Sequence, residues 1–288
     1  MIRGKSISKL VTVIALSALV GACADNGRPT TGGFFTRQDV PLENFTAAQI
    51  FERGEFELEE NNLSEAAFFF SEIERLYPFS DFAERALIMQ AFSYHRDRDY
   101  PNSRAAAQRF IDFYPDADDA AYAQYLLALS YYDQIDEVGR DQGLTFQALQ
   151  SLREVIEVYP DSVYAKSAIL KFDLAFNHLA NKEMEIGRYY LRRDNFTAAI
   201  NRFRVVVEDF QTTTHTPEAL HRLVEAYLSL GLTDEAQTAG AILGFNYQST
   251  EWYDDSYKLL TGRGLKPRVR GTGWLAQVYR QTVQGRWL

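Results

Sequence analysis

An aromatic residue returns along this chain in constant company, and that repetition constrains the fold more than any other feature. Tyr77-Pro78-Phe79-Ser80 recurs as Tyr114-Pro115-Asp116-Ala117 and Tyr159-Pro160-Asp161-Ser162, then in weaker form at Phe210-Gln211 and Tyr247-Gln248. The intervals are 37, 45, 51 and 37 residues. Eleven residues before each aromatic stands a small side chain: Ala66, Ser103, Ala148, Ala199 and Ala236. Four before it stands an apolar one: Ile73, Phe110, Val155, Val206 and Leu243. A period in this range belongs to stacked supersecondary units, each unable to bury its apolar face alone.

Within a unit, two segments carry helical period with no strand signal between them, for example Ala47–Glu60 followed by Leu63–Leu76. The proline after each aromatic then blocks continuation of the second helix. The pattern resembles the tetratricopeptide repeat, most closely in the fourth unit, where Gly187 and Tyr190 precede Ala199 and Phe203. Gly54, Ala66, Phe70 and Pro78 make a similar set in the first unit. The resemblance implies an all-α superhelix of five helix-turn-helix units over residues 43–248, about ten helices with a concave groove. Two units depart from the regular length. The third has its excess in Asp133–Gly143, and the fourth in a long first segment, Val163–Arg193, plus Thr212–Thr216. Such insertions map to a loop or a lengthened helix on one face.

The N-terminus belongs to a different regime. Arg3, Lys5 and Lys9 precede an apolar run from Leu10 to Ala22, of secretory-signal length and too short to span a bilayer comfortably. It ends in Val20-Gly21-Ala22-Cys23, which resembles the lipobox of bacterial lipoproteins. Residues 1–22 are therefore expected to be a signal peptide and Cys23 the site of diacylglycerol and acyl attachment. Cys23 is also the one cysteine of the chain, so disulfides and a cysteine nucleophile elsewhere are excluded together. Ala24 stands where an aspartate retains such proteins at the inner membrane, so the resemblance implies the outer membrane. Residues 23–42, with Gly27, Pro29, Gly32, Gly33 and Pro41, read as a tether of roughly 25 Å reach.

Charge and chemistry narrow the function. The whole chain carries −9, and removing residues 1–22 takes three cations with it, leaving −12. A nucleic-acid partner is excluded on that balance. From Ser256 to Leu288 there are seven Lys or Arg and no Asp or Glu, so an acidic body carries a basic C-terminal tail, residues 249–288. In the tail the cations are interleaved with Trp274, Tyr279 and Trp287. Two readings of it stand open: a segment that lies on anionic head groups or an acidic partner, and a solubilising tail without structure.

Reaction chemistry is missing from the pattern. The glycines form no phosphate-cradling loop, and the histidines His95, His178, His215 and His221 lack metal-ligand spacing. The carboxylate runs Glu52-Glu55-Glu57-Glu59-Glu60 and Asp116-Asp118-Asp119 fall on helix faces and helix starts, where they stabilise the positive end of the helix dipole. No enzyme, metal or cofactor is expected. Surface is what helical repeats supply.

The finer combination points to one family. Arg75-Leu76-Tyr77-Pro78-Phe79, Gln108-Arg109-Phe110-Ile111, and Tyr189-Tyr190 followed by Asn201-Arg202, behind a lipobox and a short tether, together resemble the BamD (ComL, YfiO) family of outer-membrane assembly lipoproteins. The resemblance implies a non-enzymatic subunit of the β-barrel assembly complex. It docks through C-terminal units on the POTRA domains of the barrel subunit BamA, alongside other Bam subunits, while its N-terminal units receive unfolded outer-membrane proteins. On this chain it implies substrate contacts at Tyr77, Pro78, Phe79, Phe113 and Tyr114, and BamA contacts at Asn201, Arg202 and Arg204. Ala199, Phe203, Val206 and Phe210 form the inward stripe of that helix, which leaves the two arginines flanking or opposite it with little structural purpose. A periplasmic scaffold for peptidoglycan enzymes or for the Tol-Pal system is the competing function.

Overall fold

A computed structural model describes residues 41–135, 142–271 and 273–283. The signal peptide, Cys23, nearly all of the tether, the middle of the third unit's insertion and Trp287 lie outside these residues. The chain divides into two units, Met1–Pro41 and Leu42–Leu288, and the described helices all belong to the second.

Five antiparallel helix pairs follow one another: α1 Ala47–Glu59 with α2 Leu63–Leu76, α3 Ala83–Arg96 with α4 Tyr100–Phe113, α5 Ala120–Tyr132 with α6 Gly143–Val158, α7 Val163–Leu191 with α8 Phe196–Asp209, and α9 Thr216–Ser229 with α10 Thr233–Asn246. Each helix packs on the one before and the one after it, as in a solenoid. Two more helices, α11 Glu251–Thr261 and α12 Trp274–Thr282, follow the fifth pair, so the described residues hold twelve α-helices, ten of them in the repeats. The described residues contain no strand.

The repeat pattern translates directly into packing. All five small residues and all five apolar residues of the register are fully buried, at or near zero exposure. The small ones let paired helices approach; the apolar ones fill the seam to the next unit. In the first and fourth units a glycine lies directly against a phenylalanine ring, with no room for a Cβ. A Cβ added to Gly187 would lie 2.8 Å from Cδ1 and Cζ of Phe203, and one added to Gly54 2.7 Å from Cε1 of Phe70.

The recurring aromatic is a helix terminator. Tyr77, Tyr114, Tyr159, Phe210 and Tyr247 are the C-caps of α2, α4, α6, α8 and α10, with φ between −122° and −136°, and each backbone N–H donates to the carbonyl four residues earlier. Three residues on, a backbone N–H returns to the aromatic's carbonyl, from Ser80, Ala117, Ser162, Thr213 and Thr250. The hydroxyls of Ser80, Thr213 and Thr250 donate to the same oxygen. The two weak copies of the motif thus lose the proline but keep the hydroxyl that closes the turn.

The turns inside the pairs have their own signature. Asn61, Arg98, Asp194 and Gly231 sit at positive φ two residues before α2, α4, α8 and α10. The following N–H groups, of Asn62, Asp99, Asn195 and Leu232, donate back to Glu57, Tyr94, Tyr190 and Tyr227. This six-to-one closure satisfies carbonyls that the end of the first helix leaves open.

The segment read as a tail is largely folded. Helix α11 packs on α9 and α10, and α12 packs on α10. Leu260, Leu275 and Val278 are buried in one core cluster with Leu223, Tyr227, Ile242 and Leu243. The indole N–H of Trp274 donates to the Tyr227 hydroxyl at 3.2 Å. The last repeat presents an apolar face with no sixth repeat to cover it, and these two helices cover part of it.

Candidate docking surfaces

Helix α7 has 29 residues, about twice its neighbours, and its length shapes the middle of the stack. At 1.5 Å per residue it runs for about 43 Å. Helix α6 lies against its first half and α8 against its second, both antiparallel to it, so the start of α6 and the end of α8 converge at its midpoint without closing on each other. The result is an open cavity of about 960 Å³. Phe146, Leu149, Phe176, Leu179, Val205 and Phe210 supply its apolar lining. Phe176 and Phe210 meet with ring centroids 4.9 Å apart. Arg153, Lys182, Glu183 and Asp209 stand around it. The lengthened helix was legible in the sequence, but the groove it opens was not, because its walls come from segments 60 residues apart that carry no shared motif.

The residues expected to meet BamA lie beside this groove, on α8. Asn201 is exposed. Arg202 is not idle: its Nη1 donates to Glu183 Oε2 at 3.0 Å, across the α7–α8 pair, with the arginine side chain 42% and the glutamate 19% exposed. Arg204 pairs with Glu208 one turn on, at 2.8 Å, and its guanidinium lies 5.0 Å from the Trp274 ring of α12. Both arginines therefore have structural partners, which corrects the expectation that they would have little purpose within the fold. The Glu183 partner stands 19 residues away and could not be read from helical spacing. Hydrogen bonding to Glu208 is also the leading cause that raises the Arg204 pKa above its ordinary value.

A second ion pair braces the same region. Arg188 of α7 grips Glu218 of α9 with a fork of 2.9 and 2.6 Å. Burial pushes the Glu218 carboxyl upward, yet Arg188 and Arg222 together outweigh burial and hold it below its ordinary value.

The residues expected to meet substrate divide into two kinds. Tyr77 and Tyr114 are half-buried caps: the Tyr77 hydroxyl donates to the Phe45 carbonyl, and Tyr114 packs on Phe110 at 5.5 Å. Phe79 is fully exposed, Phe113 is 63% exposed, and Pro78 is exposed beside them. They lie at successive junctions between repeats, Phe79 in the α2–α3 turn and Phe113 at the end of α4 before the α4–α5 turn, and no ring contact joins Phe79 to Phe113 among the described residues. Exposed phenylalanines at these turns contribute nothing to the core and are free to contact another molecule.

The profile of the YfiO family, described as "Outer membrane lipoprotein", matches residues 43–242. This chain is 41% identical over 267 residues to the outer membrane protein assembly factor BamD of Caulobacter vibrioides, covering 93% of this chain and 85% of that relative. The chain belongs to the BamD family. Its BamD relative in Rickettsia prowazekii is 42% identical over 229 residues, 80% of this chain and 91% of the relative, and the one in Neisseria meningitidis is 25% identical over 88% of this chain. The BamD match spans all five helix pairs, with α10 included nearly to its end. These relatives are named for assembly and not for a reaction. Among the described residues, no helix is long and apolar enough to cross a membrane, and no group of His, Cys, Asp and Glu is placed to hold a metal ion.

Proposed function

We propose that this chain is a lipid-anchored docking subunit at the periplasmic face of the outer membrane, joining the barrel subunit BamA to unfolded outer-membrane proteins during their insertion. The observation that carries the reading is the 41–42% identity to relatives named outer membrane protein assembly factor over most of both chains. The lipobox at Cys23 supplies the anchor. A Cys23→Ala chain is expected to leave the outer-membrane fraction while keeping its helical content, because the repeats bury their core without the lipid. Full retention in the membrane would remove the anchor from the account.

On this reading BamA meets the α7–α8 pair at Asn201, Arg202 and Arg204. A guanidinium can exchange its partner Glu183 for a carboxylate of a docked POTRA domain, and losing one member of a desolvated pair costs about 2–5 kcal/mol. Arg202→Glu is expected to weaken association with BamA by roughly 30-fold or more on that scale. It also sets two carboxylates side by side, but the site is half-exposed and the melting temperature should move little. Undiminished co-purification would place the interface elsewhere.

Substrate capture falls to the first two turns. Phe79 and Phe113 are the ring surfaces available there, with Tyr77, Pro78 and Tyr114 shaping the turns that present them. A photo-crosslinker at position 79 should label a peptide with the aromatic C-terminus of a barrel protein well above its scrambled form. Equal labelling of both peptides would refute the assignment.

A further inference from the structure

Between α11 and α12 runs an irregular segment in which cations alternate with apolar residues: Arg263, Leu265, Lys266, Pro267, Arg268, Val269 and Arg270. It is fixed to the second turn of α10 through its backbone. Arg268 N donates to the Gln237 carbonyl at 3.1 Å, and Gln237 Nε2 donates to the Lys266 carbonyl at 2.7 Å. Arg270 N donates to Thr238 Oγ1 at 2.9 Å, and that hydroxyl in turn lies 3.1 Å from the Arg270 carbonyl. Gln237 and Thr238 are both buried. Leu265 packs on the core cluster, and Pro267 closes over Gly240. With the backbone held and Leu265 and Pro267 turned inward, Lys266, Arg268 and Arg270 are all exposed. Among the described residues, the one carboxylate in reach of the three is Asp234, 4.0 Å from Arg270.

We propose that this pinned row of cations is a contact site for anionic phospholipid head groups, which orients the body on the membrane to which it is tethered. Two observations favour a lipid surface over an acidic protein. A protein interface needs a cluster of apolar anchors inside its polar rim, and the row lacks one: Leu265 and Pro267 are committed to the core, which leaves Val269, 37% exposed, as the one apolar side chain of the three open to a partner. A diffuse anionic surface needs no such anchor, since each cation near it contributes independently. The described aromatics of α12 are likewise committed, Trp274 to Tyr227 and Tyr279 to Phe245. The remainder of the chain is acidic and is repelled by the same surface, so this row sets which side faces it.

The inference rests on the lipid-anchored reading and is tested with the acylated full-length mature protein in vesicles. Because Cys23 carries the lipid, a cysteine introduced as Val269→Cys takes a fluorophore alone. Head-group spin labels should quench it strongly in phosphatidylglycerol-containing vesicles and weakly in pure phosphatidylcholine. Half-molar salt, or the triple change Lys266→Gln, Arg268→Gln and Arg270→Gln, should return quenching to the phosphatidylcholine level. Equal quenching in both lipids, none in either, or quenching indifferent to the triple change would overturn the proposal; so would quenching absent on lipid but replaced by protection of position 269 in the assembled complex. Failure of the anchor reading is distinguishable, since the protein would then not float with phosphatidylcholine vesicles at all.

Discussion

Phe203→Ala is expected to destabilise the fourth helix pair by about 3–5 kcal/mol, the range for deleting a fully buried ring. Phe203 has no exposed surface, and its ring lies against the backbone of Gly187, one of the two glycine–phenylalanine contacts that hold helix pairs close. The partner substitution gives the more exacting result. Gly187→Ala in the parent chain places a methyl within van der Waals overlap of the ring and should cost about 1–3 kcal/mol by overpacking. In the Phe203→Ala background the obstruction is gone, and the same change should be neutral or stabilise by up to about 1 kcal/mol, the helix-propensity difference between alanine and glycine. Denaturant midpoints of the four proteins form the cycle. Additivity within about 0.5 kcal/mol would mean that glycine and ring do not meet.

Cutting the chain after Thr261 is expected to loosen the last repeat rather than merely remove a charged appendage. The cut takes away Leu265, Leu275, Ala276 and Val278 and should open the cluster they share with Tyr227, Ile242 and Leu243 to water. The single change Leu275→Ala already should cost about 2–5 kcal/mol. Hydrogen exchange localises the effect: amides of α9 and α10 should lose protection while those of α1 to α4 keep it, because a solenoid unit feels its neighbours and little beyond. Unchanged protection in α10 would show that α12 rests on the surface without stabilising it.

These two results also mark what the sequence could and could not reveal. The small residue eleven positions and the apolar residue four positions before each aromatic were legible, because each must occupy one close-packed site and the packing tolerates few alternatives. Helix bounds followed for the same reason: α2 runs from Leu63 to Leu76 as its periodicity predicts. The left-handed residues in the turns were not legible, since Asn61 and Asp194 suggest such a turn but Arg98 does not. Helix α12 escaped notice because nine residues give too short a period to register, and the glycines and proline before it resemble a loop. At the docking surface, Arg202 stood out by residue type, whereas its partner Glu183 is supplied by the neighbouring helix and only folding brings the two together.

The chain's place in outer-membrane assembly is tested most directly by purifying it, acylated and full-length, from its own detergent-solubilised membranes and identifying what comes with it. The account predicts a β-barrel protein whose gel mobility shifts on heating, recovered with the parent chain and lost with Arg202→Glu. Recovery of murein-cleaving enzymes in its stead, with no barrel protein at any detergent concentration that keeps the repeats folded, would contradict it.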